Sequence, residues 1–324
     1  MTLKYEEIGQ RLHAFRLGAG LSADELAKKL RISRTAVYRL EKGEVVKIET
    51  LHRLADVLGV SLPTLLGVEI EYISSAVTYF ERIRQMEEVA DRIVILAGPI
   101  SFLLASDRFQ EFLPTLLKET ISEKDPDRDR LLKDIDVIVD ILSQRKKSFL
   151  LRRPAIVNLI SALDIERLLR SGFVGRPLLT ANDISERRQR VAEEIEHFVQ
   201  LAEEEPIGVQ IGVVTGTLPH SGFQIFRSEE GKTLTISPFR LGEQPNIRLG
   251  VAMITATEEA VALHEKVVDE MWRSALKGRA AAEYLRNLLA AAGPPQTATA
   301  VPAPLVARRP SRSRRRPSSA LTQT

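Results

Sequence analysis

The chain has 324 residues, a length suited to two domains plus a tail; with 44% hydrophobic, 27% charged and only 5% aromatic residues, a largely aliphatic core is expected. It has no cysteine, which excludes disulfide scaffolds, thiolate zinc sites, iron–sulfur clusters and cysteine nucleophiles. The net charge of +3 is unevenly spread: residues 1–68 carry 11 Lys/Arg against 8 Asp/Glu, no acid follows Glu283, and the stretch between is acidic on balance. A polyanionic partner is therefore expected for the two ends only.

No apolar run approaches the roughly 20 residues of a membrane span, and Met1–Glu7 has no apolar segment of signal-peptide type. The expectation is a cytoplasmic protein with no membrane partner. Residues 4–68 read as an all-α head of five short helices. Ile8, Leu12 and Phe15 space the first; Leu26, Ala27 and Leu30 the second, capped by Ser22; Val37 and Leu40 the third, capped by Ser33. Leu51, Leu54, Ala55 and Leu58 mark the fourth, with Thr50 as its cap, and Ser61-Leu62-Pro63 opens the fifth.

Residues 69–292 read as a larger α/β or α+β domain serving as a sensor or for oligomerisation. One helix over Glu69–Asp91, with Ile73, Val77, Phe80 and Ile83, is expected to leave the head and help hold two copies together. Arg92–Ala97 reads as a buried strand, more helix follows with a polar break at Ser122–Arg130, and Asn182–Glu205 as a long charged helix. The period then changes to two. Ile207, Val209, Ile211 and Val213 mark one strand, Phe223 and Ile225 a second, Leu234 and Ile236 a third, and Ile247, Leu249, Val251 and Met253 a fourth. Ser228-Glu229-Glu230-Gly231 reads as a hairpin turn, and Thr257–Ala292 as helix. Residues 293–324, with 6 of the 16 prolines and six arginines from Arg308 to Arg316, read as a disordered basic tail, suited either to nonspecific DNA contact or to solubility alone.

The main signal lies between Ala23 and Lys42. Small Ala27 lets the second helix approach the third, and Leu26, Leu30, Ile32, Val37 and Leu40 fill the space between helices. What remains outside is Ser33, Arg34, Thr35, Tyr38, Arg39 and Lys42, a face that suits a major groove, where Arg reads guanine O6/N7. Ser22 and Ser33 stand at helix N-termini, whose N–H groups suit phosphate. The run Leu21-Ser22, Leu26-Ala27, Ile32-Ser33-Arg34, Val37, Leu40-Glu41-Lys42-Gly43, then Leu51, Leu54-Ala55 and Leu58-Gly59-Val60, resembles the phage repressor/Cro helix-turn-helix family. The resemblance covers roughly residues 8–67 and implies sequence-specific binding of double-stranded DNA as a homodimer, with the third helix in the major groove. The chain departs from that family at Ala23, where Gln is frequent, at Arg31, where the turn usually has Gly, and in the link Glu44–Ile48, which lacks a frequent Pro.

Other constellations are incomplete. His264-Glu265-Lys266 has Val268 where a zinc-protease helix needs His, and Met271 where a phosphodiesterase motif needs Asp. No catalytic residue, metal ligand or cofactor is assigned, and no enzyme is expected. Residues 76–290 bear a faint likeness to phospholipase-D-like domains without catalytic residues. That likeness leaves, as an alternative, a ligand-binding or enzyme domain merely localised by the head; a separate alternative is an antitoxin-like partner binder. Ala97-Gly98 ends a strand rather than lying in a linker, against a self-cleaving repressor. Thr215–Gly222, with His220, reads as a solvated turn or as part of an effector pocket. The expected function is a DNA-binding transcription regulator, responsive through its second domain to a small-molecule effector or a partner.

Overall fold

The computed structural model describes residues 5–44, 47–68, 70–96, 98–176, 179–219 and 221–293. His220 and the tail beyond Gly293 lie outside the described residues, as do Ala97 and, in the link after the third helix, Val45 and Val46.

Five helices form the head: α1 (Tyr5–Gly18), α2 (Ala23–Leu30), α3 (Arg34–Glu41), α4 (Ile48–Leu58) and α5 (Leu62–Leu66). Ser22, Ser33 and Ser61 cap α2, α3 and α5 as expected, each accepting a backbone N–H three residues on. Thr50 does not cap α4: that helix starts two residues earlier, behind Lys47, with no side-chain cap.

The segment after the head is not one helix. Ile70–Ile73 is a strand, β1, and Ser75 then caps α6 (Ala76–Val89). β1 pairs antiparallel with β7 (Ala252–Thr255), so residues far apart in sequence draw it out of the helical pattern. Nor is α6 free to join two copies, because it is buried along most of its length against α1 and α8 (Arg128–Arg152) of its own chain.

The body is an eight-stranded mixed sheet. Its remaining strands are β2 (Arg92–Leu96), β3 (Ala155–Ser161), β4 (Val209–Val214), β5 (Phe223–Ser228), β6 (Gly231–Ile236) and β8 (Leu276–Lys277), in the order β1-β7-β6-β5-β2-β3-β4-β8. β2, β3 and β4 run parallel, joined through the helix pairs α7 (Asp107–Glu119) with α8 and α9 (Ala162–Ser171) with α10 (Ala181–Glu204). Sequence patterning missed β3 at the sheet's centre: buried on both faces, it has no alternation to read. β5 and β6 form the expected hairpin about Glu229–Glu230.

The fourth late strand shrinks to β7 and is read one residue out of register. Ala252 and Ile254 point inward, while Leu249 and Val251 are 77% and 53% exposed. The final helical stretch breaks at β8 into α11 (Glu258–Ser274) and α12 (Gly278–Ala292). α11 covers one face of the sheet, its Val261, Val268 and Met271 packing with Leu159, Val214 and Phe223. Trp272 lies over Gly212, where a Cβ would meet its ring at 2.8 Å. The other face belongs to a core that continues without interruption into the head, from Ile93, Ile156 and Ile211 to Leu12, Leu26 and Leu54.

Candidate nucleic-acid interface

The turn between α2 and α3 is set by backbone chemistry. Arg31 adopts the left-handed conformation (φ 57°, ψ 46°), and the N–H of Ile32 returns to the carbonyl of Ala27 at 3.0 Å. A glycine would hold this conformation at a cost lower by about 1 kcal/mol. Arg53 of α4 donates to the carbonyl of Leu30 and fixes the end of α2. Ser22 forms a full capping box: its hydroxyl accepts from Glu25 N–H (3.2 Å) and its N–H donates to Glu25 Oε2 (2.8 Å). Those hydrogen bonds hold the Glu25 carboxyl below its usual range.

With Ala27 and Val37 buried between the helices, Arg34, Thr35, Tyr38 and Arg39 are left exposed on α3, Ser33 and Lys42 are exposed at its N-cap and C-cap, and Ser22 is exposed at the start of α2. All seven residues expected at the interface are thus solvent-accessible, and four of them share the outward face of α3, which Lys42 continues at its C-cap. The face is more ordered than the sequence reveals. Arg34 donates to the Tyr38 hydroxyl (Nη2, 3.0 Å), its guanidinium carbon lies 5.4 Å from the ring centroid, and Nη1 is 3.3 Å from Asp24. Arg39 holds both carboxylate oxygens of Glu44 at 2.6 Å through Nε. The Tyr38 and Glu44 hydrogen bonds raise the pKa values of Arg34 and Arg39 respectively, and Arg39 lowers that of Glu44.

Sequence reasoning assigned no role to these acids, nor to the polar joint beneath the face. Glu41, the last residue of α3, accepts from Arg16 and faces His13 Nδ1 at 3.0 Å, while His13 Nε2 lies 3.8 Å from Glu81 of α6. Burial works against the Glu41 charge, but hydrogen bonds from His13 and Arg16 prevail and keep its carboxyl below the usual range. A second cluster joins α1 to the body. Arg11 Nε donates to Glu71 Oε1 (2.6 Å), and Arg82 donates to Oε2 through Nε (3.0 Å) and to Oε1 through Nη2 (2.9 Å). Gln85 extends this cluster by donating to the carbonyl of Gln10 at 3.0 Å. Glu71 is 4% exposed; burial would push its carboxyl up, yet Arg82 and Arg11 outweigh burial and hold it down.

The sequence signal for the second cluster was weak, because it consists of single charges in β1 and α6 that take meaning only when the two elements meet α1. His264 sits on α11 with Nδ1 2.9 Å from the carbonyl of Ala260 and its ring 4.9 Å from that of Phe223. The loop Thr215–Gly222 is a crossover rather than a hairpin, since β2 and β3 lie between β4 and β5; Thr215, Gly216, Thr217 and Pro219 in it are exposed.

A family model described as a helix-turn-helix domain matches residues 7–66. This segment is a helix-turn-helix of the Cro/repressor-like type, which supports a DNA-binding regulator in general terms. No curated protein matches the chain. Among the described residues, no helix is long and apolar enough to cross a membrane.

Proposed function

We propose that this chain is a cytoplasmic, sequence-specific transcription regulator that binds double-stranded DNA as a homodimer and answers to a small-molecule effector or a partner through its body. The observation that carries this reading is the outward face of α3, where Arg34, Thr35, Tyr38, Arg39 and Lys42 stand exposed on a helix-turn-helix scaffold. Arg34 and Arg39 read base edges; the N-terminal ends of α2 and α3 at Ser22 and Ser33 receive phosphate. One such module buries a small surface on DNA, so two copies on adjacent turns supply the affinity a regulator needs.

Responsiveness is supported by the joint. The reading helix ends on Glu41, and through Arg16, His13 and Glu81 it borders α6. A cleft of about 380 Å³ lies elsewhere between the head and the body, lined by none of those four residues but in part by Phe15, Leu58, Ser61, Tyr72, Ser74 and Thr78, and gives room for a small effector. On this reading the body transmits a signal and performs no reaction.

The test is selection of duplexes from a randomised pool by the full-length chain, followed by affinity measurements on the selected duplex and a scrambled one. A preference of about a thousandfold or more is expected; equal affinities refute the reading. Light scattering of the complex should give two copies per duplex, with half-sites about 10–10.5 bp apart or a multiple of that. One copy at saturation refutes the dimer.

A further inference from the structure

We propose that Glu44 is a positioning residue for DNA reading: it holds the guanidinium of Arg39 by one edge and thereby sets base preference at the position Arg39 reads. The inference rests on the DNA-binding reading given above. Arg39 leaves the last full turn of α3, and Glu44 follows three residues after that helix ends. Arg39 Nε lies 2.6 Å from both Glu44 carboxylate oxygens, and Nη2 approaches Oε2 at 2.5 Å. The carboxylate therefore occupies the Nε–Nη2 edge of the fork. Nη1 has no partner among the described residues. Arginine carries five N–H donors in a rigid plane. With one edge held, the edge formed by Nη1 and the outer N–H of Nη2 faces away from Glu44, and it is the pair of donors that fits guanine O6 and N7.

The ion pair has little other work. Arg39 and Glu44 side chains are 64% and 46% exposed, and pairs this open to solvent add little to a fold. What the pair changes is the freedom of Arg39. A free arginine on a helix facing DNA samples many rotamers and is drawn to any nearby phosphate, which carries no sequence information. Glu44 opposes that in two ways: it orders the guanidinium, and its charge repels the phosphate that would otherwise compete for Arg39.

The test compares the wild-type chain with Glu44→Gln, Arg39→Ala and the double variant. The probes are the duplex selected by the wild-type chain, its single-base substitutions and a scrambled duplex. Glu44→Gln should lose about tenfold of the preference for guanine at one base position, the same position that Arg39→Ala relaxes. Its affinity for the scrambled duplex should rise, its melting temperature should stay within about 1 °C of wild type because the pair is exposed, and the double variant should show no further loss over Arg39→Ala. If Glu44→Gln tightens binding to every duplex by the same factor, Glu44 acts through bulk repulsion alone and the proposal is overturned. Loss of preference at a different position, or retention of it where Arg39→Ala loses it, overturns it equally. A wild-type chain that selects no sequence refutes the DNA-binding reading itself, and this proposal with it; the two failures are separated by the wild-type result.

Discussion

Replacing Glu71 by Gln should loosen the head from the body without disturbing the helices of either. Glu71 is buried with Arg11 and Arg82, which are 7% and 5% exposed, and it is the anion both guanidinia share. Glutamine keeps the shape and one carbonyl acceptor but turns an NH2 group toward arginine donors, so at least one of three short contacts is lost and two cations face each other. Removing one partner from a buried ion pair costs about 3–5 kcal/mol. Here the lower end applies, because Arg11 retains Glu7 at 3.0 Å and Arg82 retains the Gln85 side-chain carbonyl at 2.6 Å. A loss of about 3 kcal/mol corresponds to a melting-temperature drop of roughly 6–12 °C for a domain of 150–250 residues. Thermal unfolding followed by circular dichroism gives the midpoint, and limited proteolysis shows whether cleavage concentrates between α5 and α6. A triple apolar variant, Glu71→Leu with Arg11→Met and Arg82→Leu, should lie closer to wild type than Glu71→Gln, since it leaves no unpaired charge buried in this cluster and costs the donor to Gln85 Oε1. A Glu71→Gln midpoint within 2 °C of wild type, with no new cleavage at the joint, would refute the view that this carboxylate holds the two parts together.

The pH dependence follows from the same groups. The folded pKa values of Glu71 and Glu41 are lowered, so their stabilisation is intact above the ordinary carboxylate value of about 4.3 and is lost as pH falls through the folded values. Denaturant titrations from pH 6 to pH 2.5 should show a shallower acid loss in Glu71→Gln; parallel curves would contradict this. Gly18→Ala should destabilise by about 1–3 kcal/mol by overpacking, because its Cβ would come 1.7 Å from Thr78 Oγ1 at the joint; an unchanged urea midpoint would count against such tight docking. Arg31→Gly should raise stability by up to about 1 kcal/mol, and a lower midpoint would show that the side chain contributes more than its backbone conformation costs. Arg34→Ala should weaken binding to the selected duplex by about 1–3 kcal/mol and relax one base position; unchanged preference in a folded variant removes α3 from the role of reading helix.

The head was legible because its information is local. Ser22, Ser33 and Ser61 cap helices within three residues of themselves, and Leu26, Ala27 and Leu30 declare a buried face within one turn and a half. The exposure of Ser33, Arg34, Thr35, Tyr38, Arg39 and Lys42 followed from the same pattern by subtraction of the buried positions, and that of Ser22 from its place at a helix N-terminus. The body was less legible, and each failure has a cause. β1 contains Glu71, whose burial is tolerable only beside Arg11 and Arg82, so neither its polarity nor its period pointed to a strand. β3 is apolar on both faces. β7 is flanked by exposed Leu249 and Val251, which shifted the apparent register by one. The acids beside the outward face of α3, Asp24 and Glu44, looked like ordinary surface charge, because only the fold brings them to Arg34 and Arg39.

The pairing of β1 with β7 also orders events during synthesis. Ile70 meets Thr255, so 185 residues separate the two strands in the chain. The head's own contacts are short-range, and it leaves the ribosome first. At about 5–20 residues per second, roughly 9–37 s pass before the strand that receives β1 has been made. Through that interval the Glu71 carboxylate has no sheet to lie in, and the edge of β1 is open to chaperones or to another nascent chain. A message truncated before codon 252 would therefore yield a head with α3 in place but no β7 to anchor β1, a form in which the edge of that strand stays unpaired.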